Sequence, residues 1–318
     1  MTDLFVQTLR RGINSGLKTT FELGKVIFPV TLVVSLLQHT PVLPILIDWM
    51  SPVMQIFGLP GEAAVPLVLG NLLNIYAAIG AILSLKFTVK EVFILAIMLS
   101  FSHNLLIETS VALKSGVKLW VVLSVRLGLA FFSAVIIHLV WSGGGELAQY
   151  GMIQPQEETF HNFGAIFLNG LGKAASGVFQ LAIIVIPLMI FIQILKDYHF
   201  LQYVTKALAP VTRMLGMKEN TALTLSVGLL FGLAFGAGVL LKAVKEDGVS
   251  RKDATLAFIF LMACHAVVED NLIFLPLGIP VLPLLMIRLI TAFLLTYGVA
   301  KLIQRLEAVD RKEMSYEK

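Results

Sequence analysis

Charge is what this sequence has little of. Of its 318 residues, 14% are Asp, Glu, Lys or Arg and 57% are hydrophobic, whereas a soluble domain carries about 25% charged residues. That imbalance excludes a soluble enzyme. The net charge of +4, from 24 Lys+Arg against 20 Asp+Glu, is too small and too scattered to form a basic groove, so nucleic acid is not an expected partner. A single cysteine, Cys264, excludes an intrachain disulfide and a multi-cysteine metal cage. Walker and Rossmann glycine motifs, a Ser/His/Asp arrangement and a long hydrophilic catalytic domain are missing as well. The expectation is a chain that is not an enzyme, has no cofactor, and would need a separate subunit for any ATP-driven step. With Met-Thr-Asp-Leu-Phe and then Arg10-Arg11 as its first residues, a removable signal peptide is not expected.

Long apolar runs are what it has in quantity. A bilayer core takes about 20 apolar residues per helix, and eight windows qualify, at 14–38, 62–85, 91–113, 117–141, 168–195, 220–242, 253–275 and 279–304. Two shorter stretches, 43–58 and 200–217, contain Pro52 and Pro210 and read as interfacial or re-entrant helices. The fold class expected is therefore all-α, a polytopic membrane protein in contact with the lipid bilayer. Basic residues exceed acidic ones because cytoplasmic loops of membrane proteins collect Lys and Arg.

The chain repeats itself. At an offset of 158 residues Pro29 meets Pro187, Pro52-Val53 meets Pro210-Val211, Gly58 meets Gly216, Gly70 meets Gly228 and Gly80 meets Gly238. After a four-residue insertion within 242–250 the offset becomes 162, and Thr88 meets Ser250, His103 meets His265, Gly116 meets Gly278 and Arg126 meets Arg288. Matches of Pro, Gly, His and Arg do not arise by chance between apolar helices, so the reading is duplication. It gives a first repeat at 1–141, a polar linker at 142–167, and a second repeat at 168–318 with a basic C-terminal tail. Thr88 with Glu91, and Ser250 with Asp253, resemble capping boxes that start the third helix of each half. Four full spans per half would make the repeats parallel. Re-entrant breaks at His103 and His265 would make the crossings odd and the repeats inverted, and the positive-inside count slightly favours inversion.

Polar residues inside apolar spans are functional candidates by default, and the repeat filters them. His103, Asn104 and Glu108 are answered by His265, Glu269, Asp270 and Asn271. On an unbroken helix His265 and Glu269 would share a face, while His103 and Glu108 would stand about 140° apart, so either the helix is broken or Glu108 answers Asp270. Arg126 and Arg288 need bidentate acceptors. The expectation is an Arg–carboxylate pair in each half joining helices three and four, either as a structural lock or as part of a polar cavity and gate. Asn71 and Asn74 follow Gly70 and Pro66, a pattern that fits close helix packing or an interrupted helix offering amides to a solute. The candidate substrate-binding residues are thus Asn71, Asn74, His103, Asn104, Glu108, His265, Glu269, Asp270 and Asn271, and no metal site is assigned. Glu22 and Lys25 read as an interfacial ion pair, Lys173 and Gln180 as interfacial residues, and Cys264 as packing.

The run Ser51-Pro52-Val-Met-Gln-Ile-Phe-Gly58-Leu-Pro60-Gly61-Glu62-Ala-Ala-Val-Pro66, followed by Gly70-Asn71, resembles the nucleoside-recognition or Gate family. That family includes spore maturation proteins A and B, and related motifs occur in the membrane part of ferrous-iron permeases. The resemblance covers two copies, about 12–141 and 168–304, and implies a scaffold rather than a ligand. It leads to the expectation of a permease for a small polar solute, nucleoside-like by resemblance, with a midplane site between the repeats, in a bacterial inner membrane. The alternatives are a non-transporting membrane partner of an envelope or maturation complex and a divalent-metal permease. A second copy of the chain or another membrane protein is a further expected partner.

Overall fold

A computed structural model describes residues 2–150, 162–245 and 248–316. Residues 151–161 of the expected linker and 246–247 of the insertion loop lie outside the described residues. Every described element is helical, apart from one isolated bridge between Thr88 and Leu147. In chain order the helices are α1 (Thr2–Leu37), α2 (Val42–Gln55), α3 (Ala64–Leu72), α4 (Ile75–Ser84), α5 (Val89–Ser102), α6 (Leu105–Lys114), α7 (Leu119–Val140), α8 (Phe163–Asp197), α9 (Phe200–Met214), α10 (Thr221–Lys245), α11 (Arg251–Ala263), α12 (Glu269–Leu272) and α13 (Val281–Tyr316). Short 3-10 turns cover Gly61–Ala63 and Leu275–Leu277. The protein is an all-α polytopic membrane protein, with five stretches long and apolar enough to cross a bilayer and shorter apolar helices beside them.

Four of the eight expected windows are continuous helices, α1, α7, α8 and α13, and four are not. Window 62–85 breaks at Leu73-Asn74 between α3 and α4, and window 91–113 breaks at His103-Asn104 between α5 and α6. Window 220–242 kinks inside α10, where Gly232 sits at φ 78° and ψ 173°. Window 253–275 stops at Cys264 and resumes as the short α12. Hydropathy does not see these interruptions, because a break between two apolar helices leaves the window average untouched. Their length consequence is direct. The 14 residues of α5 rise about 21 Å at 1.5 Å each, short of a hydrocarbon core of about 30 Å.

The chain divides into two compact units. The first holds Met1–Leu106, Leu127–Tyr198 and Glu269–Leu284, and the second holds Ile107–Arg126, His199–Val268 and Leu285–Lys318. Each spatial unit takes pieces of both sequence halves. In the first unit α1 packs along α8 through small residues that admit the opposing backbone. An added Cβ at Gly12 would lie 2.7 Å from the Ile190 Cα, and one at Gly16 would lie 2.8 Å from the Ile186 Cα. Gly24 abuts Val178 and Gly170 abuts Leu32. As numbers rise along α1 they fall along α8, so the two helices are antiparallel. Because α1 and α8 are repeat equivalents, carrying Pro29 and Pro187 inside them, the repeat is inverted for this pair. At one end Asp197 accepts from Thr8 Oγ1 at 2.7 Å and from Gln193 Nε2 at 2.9 Å, and lies 3.0 Å from Arg11.

The third helix of each half is its core. From Val92 to Ser102 every residue of α5 is buried, and α11 is buried from Asp253 to Ala263 except at Thr255. A helix apolar all round belongs inside. Both begin as the sequence implies. Thr88 accepts from the Glu91 N–H at 3.3 Å while Glu91 accepts from the Thr88 N–H at 2.7 Å, a full capping box, and Ser250 accepts from the Asp253 N–H at 3.1 Å. The strand-like segment after α7 lies on this end, with the Ala148 N–H bonded to Phe87. Tyr150 is buried there, and burial pushes its phenol well above its ordinary value.

The close approach of α1 and α8 predicts that Gly16→Ala lowers stability by about 1–3 kcal/mol through overpacking. Gly128, with nothing near an added Cβ, is the comparison. Gly128→Ala in mid-helix is expected to be neutral or to add up to about 1 kcal/mol. Thermal unfolding of the two variants in detergent separates them.

Candidate functional site

Breaking a helix inside a membrane frees backbone groups that no water can satisfy, so each must find a partner within the protein. In the first unit the orphans satisfy one another. The helix α3 ends at Leu72, which leaves the Gly70 carbonyl without a turn above it. The helix α5 ends at His103, and Asn104 turns left-handed at φ 55°, sending its N–H to the Gly70 carbonyl at 2.8 Å. The second unit repeats the arrangement. Beyond the end of α11, Ala266 at φ 42° donates to the Gly228 carbonyl at 3.0 Å, and Val267 donates to the Leu229 carbonyl at 2.7 Å. The Gly232 kink in α10 is what releases those two carbonyls. The glycines are required by proximity. A Cβ at Gly70 would stand 2.3 Å from Leu99 Cδ2, and one at Gly228 2.4 Å from Leu261 Cδ1. Leu99 and Leu261 are themselves repeat equivalents.

The polar candidates lie at these crossings. In the first unit, Asn74 caps α4 by accepting from the Ala77 N–H at 3.0 Å. Asn71 donates through Nδ2 to the Leu67 carbonyl at 2.7 Å, which fixes its amide orientation, because a carbonyl only accepts. The Oδ1 atoms of Asn71 and Asn104 are buried and accept no hydrogen bond among the described residues. His103 is buried and donates from Nδ1 to the Leu99 carbonyl at 2.7 Å. Its ring and the Asp270 carboxylate bring polar atoms within 4.8 Å. Tyr76 donates its hydroxyl to Glu269. Asn271, beside them in α12, is buried. Tyr76 escaped the sequence reading because tyrosines are common at membrane edges; its position two residues after Asn74 was the available signal.

In the second unit the buried groups form a charged chain. Arg126 Nη1 lies 3.0 Å from Glu108 Oε2, and Glu108 Oε1 lies 3.3 Å from His265 Nε2. His265 Nδ1 donates to the Leu261 carbonyl at 2.7 Å, and Arg288 Nη2 donates to the His265 carbonyl at 2.8 Å. Both guanidinium groups are fully buried. The expected pair between helices three and four is present in the first half as Arg126 with Glu108, while Arg288 reaches the backbone at the corresponding break. The doubt over helix geometry resolves on the side of a break in both halves. Glu108 lies beside a histidine from the other half of the sequence, a contact that repeat matching could not suggest.

Weaker expectations divide. Lys25 and Glu22 pair at 2.9 Å on the exposed face of α1. Gln180 is buried and donates to the Pro276 carbonyl at 3.2 Å. That carbonyl lies in the 3-10 turn, whose backbone needs partners of this kind. Cys264 is fully buried.

A buried ion pair that loses one member strands the other, at a cost of about 3–5 kcal/mol, whereas replacing both by apolar groups is often neutral. Arg126→Leu is accordingly expected to lower the unfolding midpoint in detergent strongly, and Arg126→Leu with Glu108→Leu to recover most of the loss.

A family model described as nucleoside recognition, Gate, matches the chain twice, at residues 20–118 and 178–279. Each match contains one crossing of broken helices. The chain is also 58% identical over 289 residues, 91% of its length and 93% of the relative's, to a protein of Bacillus subtilis (strain 168) named uncharacterized membrane protein YvoD. A twice-matched model together with a near full-length relative makes this chain a membrane protein of the Gate, or nucleoside recognition, family.

Proposed function

We propose that the protein is a permease for a small polar solute, nucleoside-like in the sense of its family's description, acting in a bacterial inner membrane without catalysing a reaction on that solute. The observation that carries the reading is the pair of buried Oδ1 acceptors, Asn71 and Asn104, left open where α3 and α5 break. A buried acceptor without a partner costs about 1–3 kcal/mol. A solute bearing hydroxyl or amide donors removes that cost, and interrupted helices at membrane depth are where transporters place such solutes. The N-terminal end of α4, beginning beside Asn74, adds a positive dipole end to the same break. An inverted pair of first helices suits alternation of access, since inverted repeats supply two related arrangements of one scaffold.

Uptake by the full-length protein in proteoliposomes tests the reading, with labelled nucleosides, nucleobases and other uncharged polar metabolites offered in parallel. One of these classes is expected to accumulate above empty vesicles. Asn71→Leu should weaken its apparent affinity by roughly 5- to 150-fold, the equivalent of about 1–3 kcal/mol, with little change in thermal stability. No accumulation and no ligand-induced thermal shift for any class would favour the alternative, a non-transporting partner in an envelope complex. A response confined to divalent cations would favour the metal-permease reading.

A further inference from the structure

The second unit contains a contact that its atoms cannot make without an additional proton. His265 Nδ1 is 2.7 Å from the Leu261 carbonyl, and a carbonyl oxygen only accepts, so Nδ1 carries hydrogen whatever the charge of the ring. That leaves Nε2 with a lone pair in the neutral ring or an N–H in the imidazolium. It faces Glu108 Oε1 at 3.3 Å, with the two side chains 1% and 3% exposed. An ionised carboxylate presents only lone pairs. Two lone pairs opposed at that distance, away from water, repel, and one proton between them turns the repulsion into a charge-assisted hydrogen bond.

We propose that Glu108 and His265 form a proton-binding site, holding one exchangeable proton between Oε1 and Nε2. The proposal does not depend on the solute reading. The groups in the same unit set the balance. Arg126, 3.0 Å from Glu108 Oε2, keeps its charge at every accessible pH, so the carboxylate has a fixed cation on one side and the imidazole on the other. Arg288, bonded to the His265 carbonyl, places a second fixed positive charge near the ring. Cys264, the neighbour in sequence, is a buried thiol. One carboxylate therefore shares itself between a permanent cation and a titratable one. When the proton arrives from water, the group of Arg126, Glu108 and His265 passes from neutral to a single positive charge. When it leaves, Nε2 and Oε1 no longer attract, and the link between α6 and the end of α11 is released. A purely structural Arg–Glu bridge would not require His265 to titrate at all.

The histidine rings of full-length protein, 15N-labelled at its six histidines and held in lipid nanodiscs, report this directly by solid-state NMR between about pH 5 and pH 9. The His265 signals, assigned by their loss in His265→Gln, are expected to pass from a ring protonated at both nitrogens to one protonated at Nδ1 alone. In Glu108→Gln the side-chain amide can itself donate to Nε2, so the ring should stay neutral and the pH response should disappear. A His265 spectrum that does not change with pH in the wild-type protein overturns the proposal, and that measurement needs no variant to fold. A response that persists unchanged in Glu108→Gln overturns it too.

Discussion

The structure depends on how backbone groups are satisfied where helices break inside a bilayer. A freed N–H or C=O in hydrocarbon has no water to turn to, so an interruption is tolerated only if a second interruption meets it. Here the N–H groups of Asn104, Ala266 and Val267, beyond the ends of α5 and α11, bond to carbonyls of Gly70, Gly228 and Leu229. Those carbonyls are available because α3 ends at Leu72 and α10 kinks at Gly232. Each half thus contains two helix breaks that complete each other. Neither could persist alone.

Much of the remaining sequence follows from that requirement. Backbones can exchange hydrogen bonds only at close range, which demands glycine at positions 70 and 228 and a leucine beside each that just clears it. The turn after α5 and after α11 demands a left-handed residue, taken by Asn104 and Ala266. The histidines that precede these turns lock their rings to the carbonyl four residues earlier, at 2.7 Å in both halves. The duplication therefore preserves a backbone device and its supports, while the polar atoms around the device differ. Amides lie at the break in the first unit together with His103, Tyr76, Glu269 and Asp270, and an Arg–Glu–His chain lies at the one in the second. One scaffold thereby provides two chemically unlike places at membrane depth.

How much was legible beforehand varies with the kind of signal. The break at His103 is legible because His103 and Glu108, five apart, stand about 140° apart on an unbroken helix, and the one at His265 only as its repeat counterpart, since His265 and Glu269 would share a face. The kink at Gly232 is not legible, because a row of glycines in an apolar helix reads equally as a packing face. The hydrogen bond of Gln180 is not legible either, because its partner, the Pro276 carbonyl, is 96 residues away in the chain. Orientation of the repeats could be only weakly inferred from the distribution of Lys and Arg, whereas the antiparallel pairing of glycine-lined faces on α1 and α8 settles it for those helices.

Composition, periodicity and self-similarity by themselves determined that this is a helical membrane protein built from a duplicated unit, because hydropathy and repeats are properties of the chain read in order. They also marked its few intramembrane charged residues, since such residues are rare enough to count. Tertiary structure alone decided which of them meet. Glu108 lies between Arg126 and His265 because segments of both sequence halves fold into one unit. No pairing rule within a helix or between equivalent repeat positions specifies that contact.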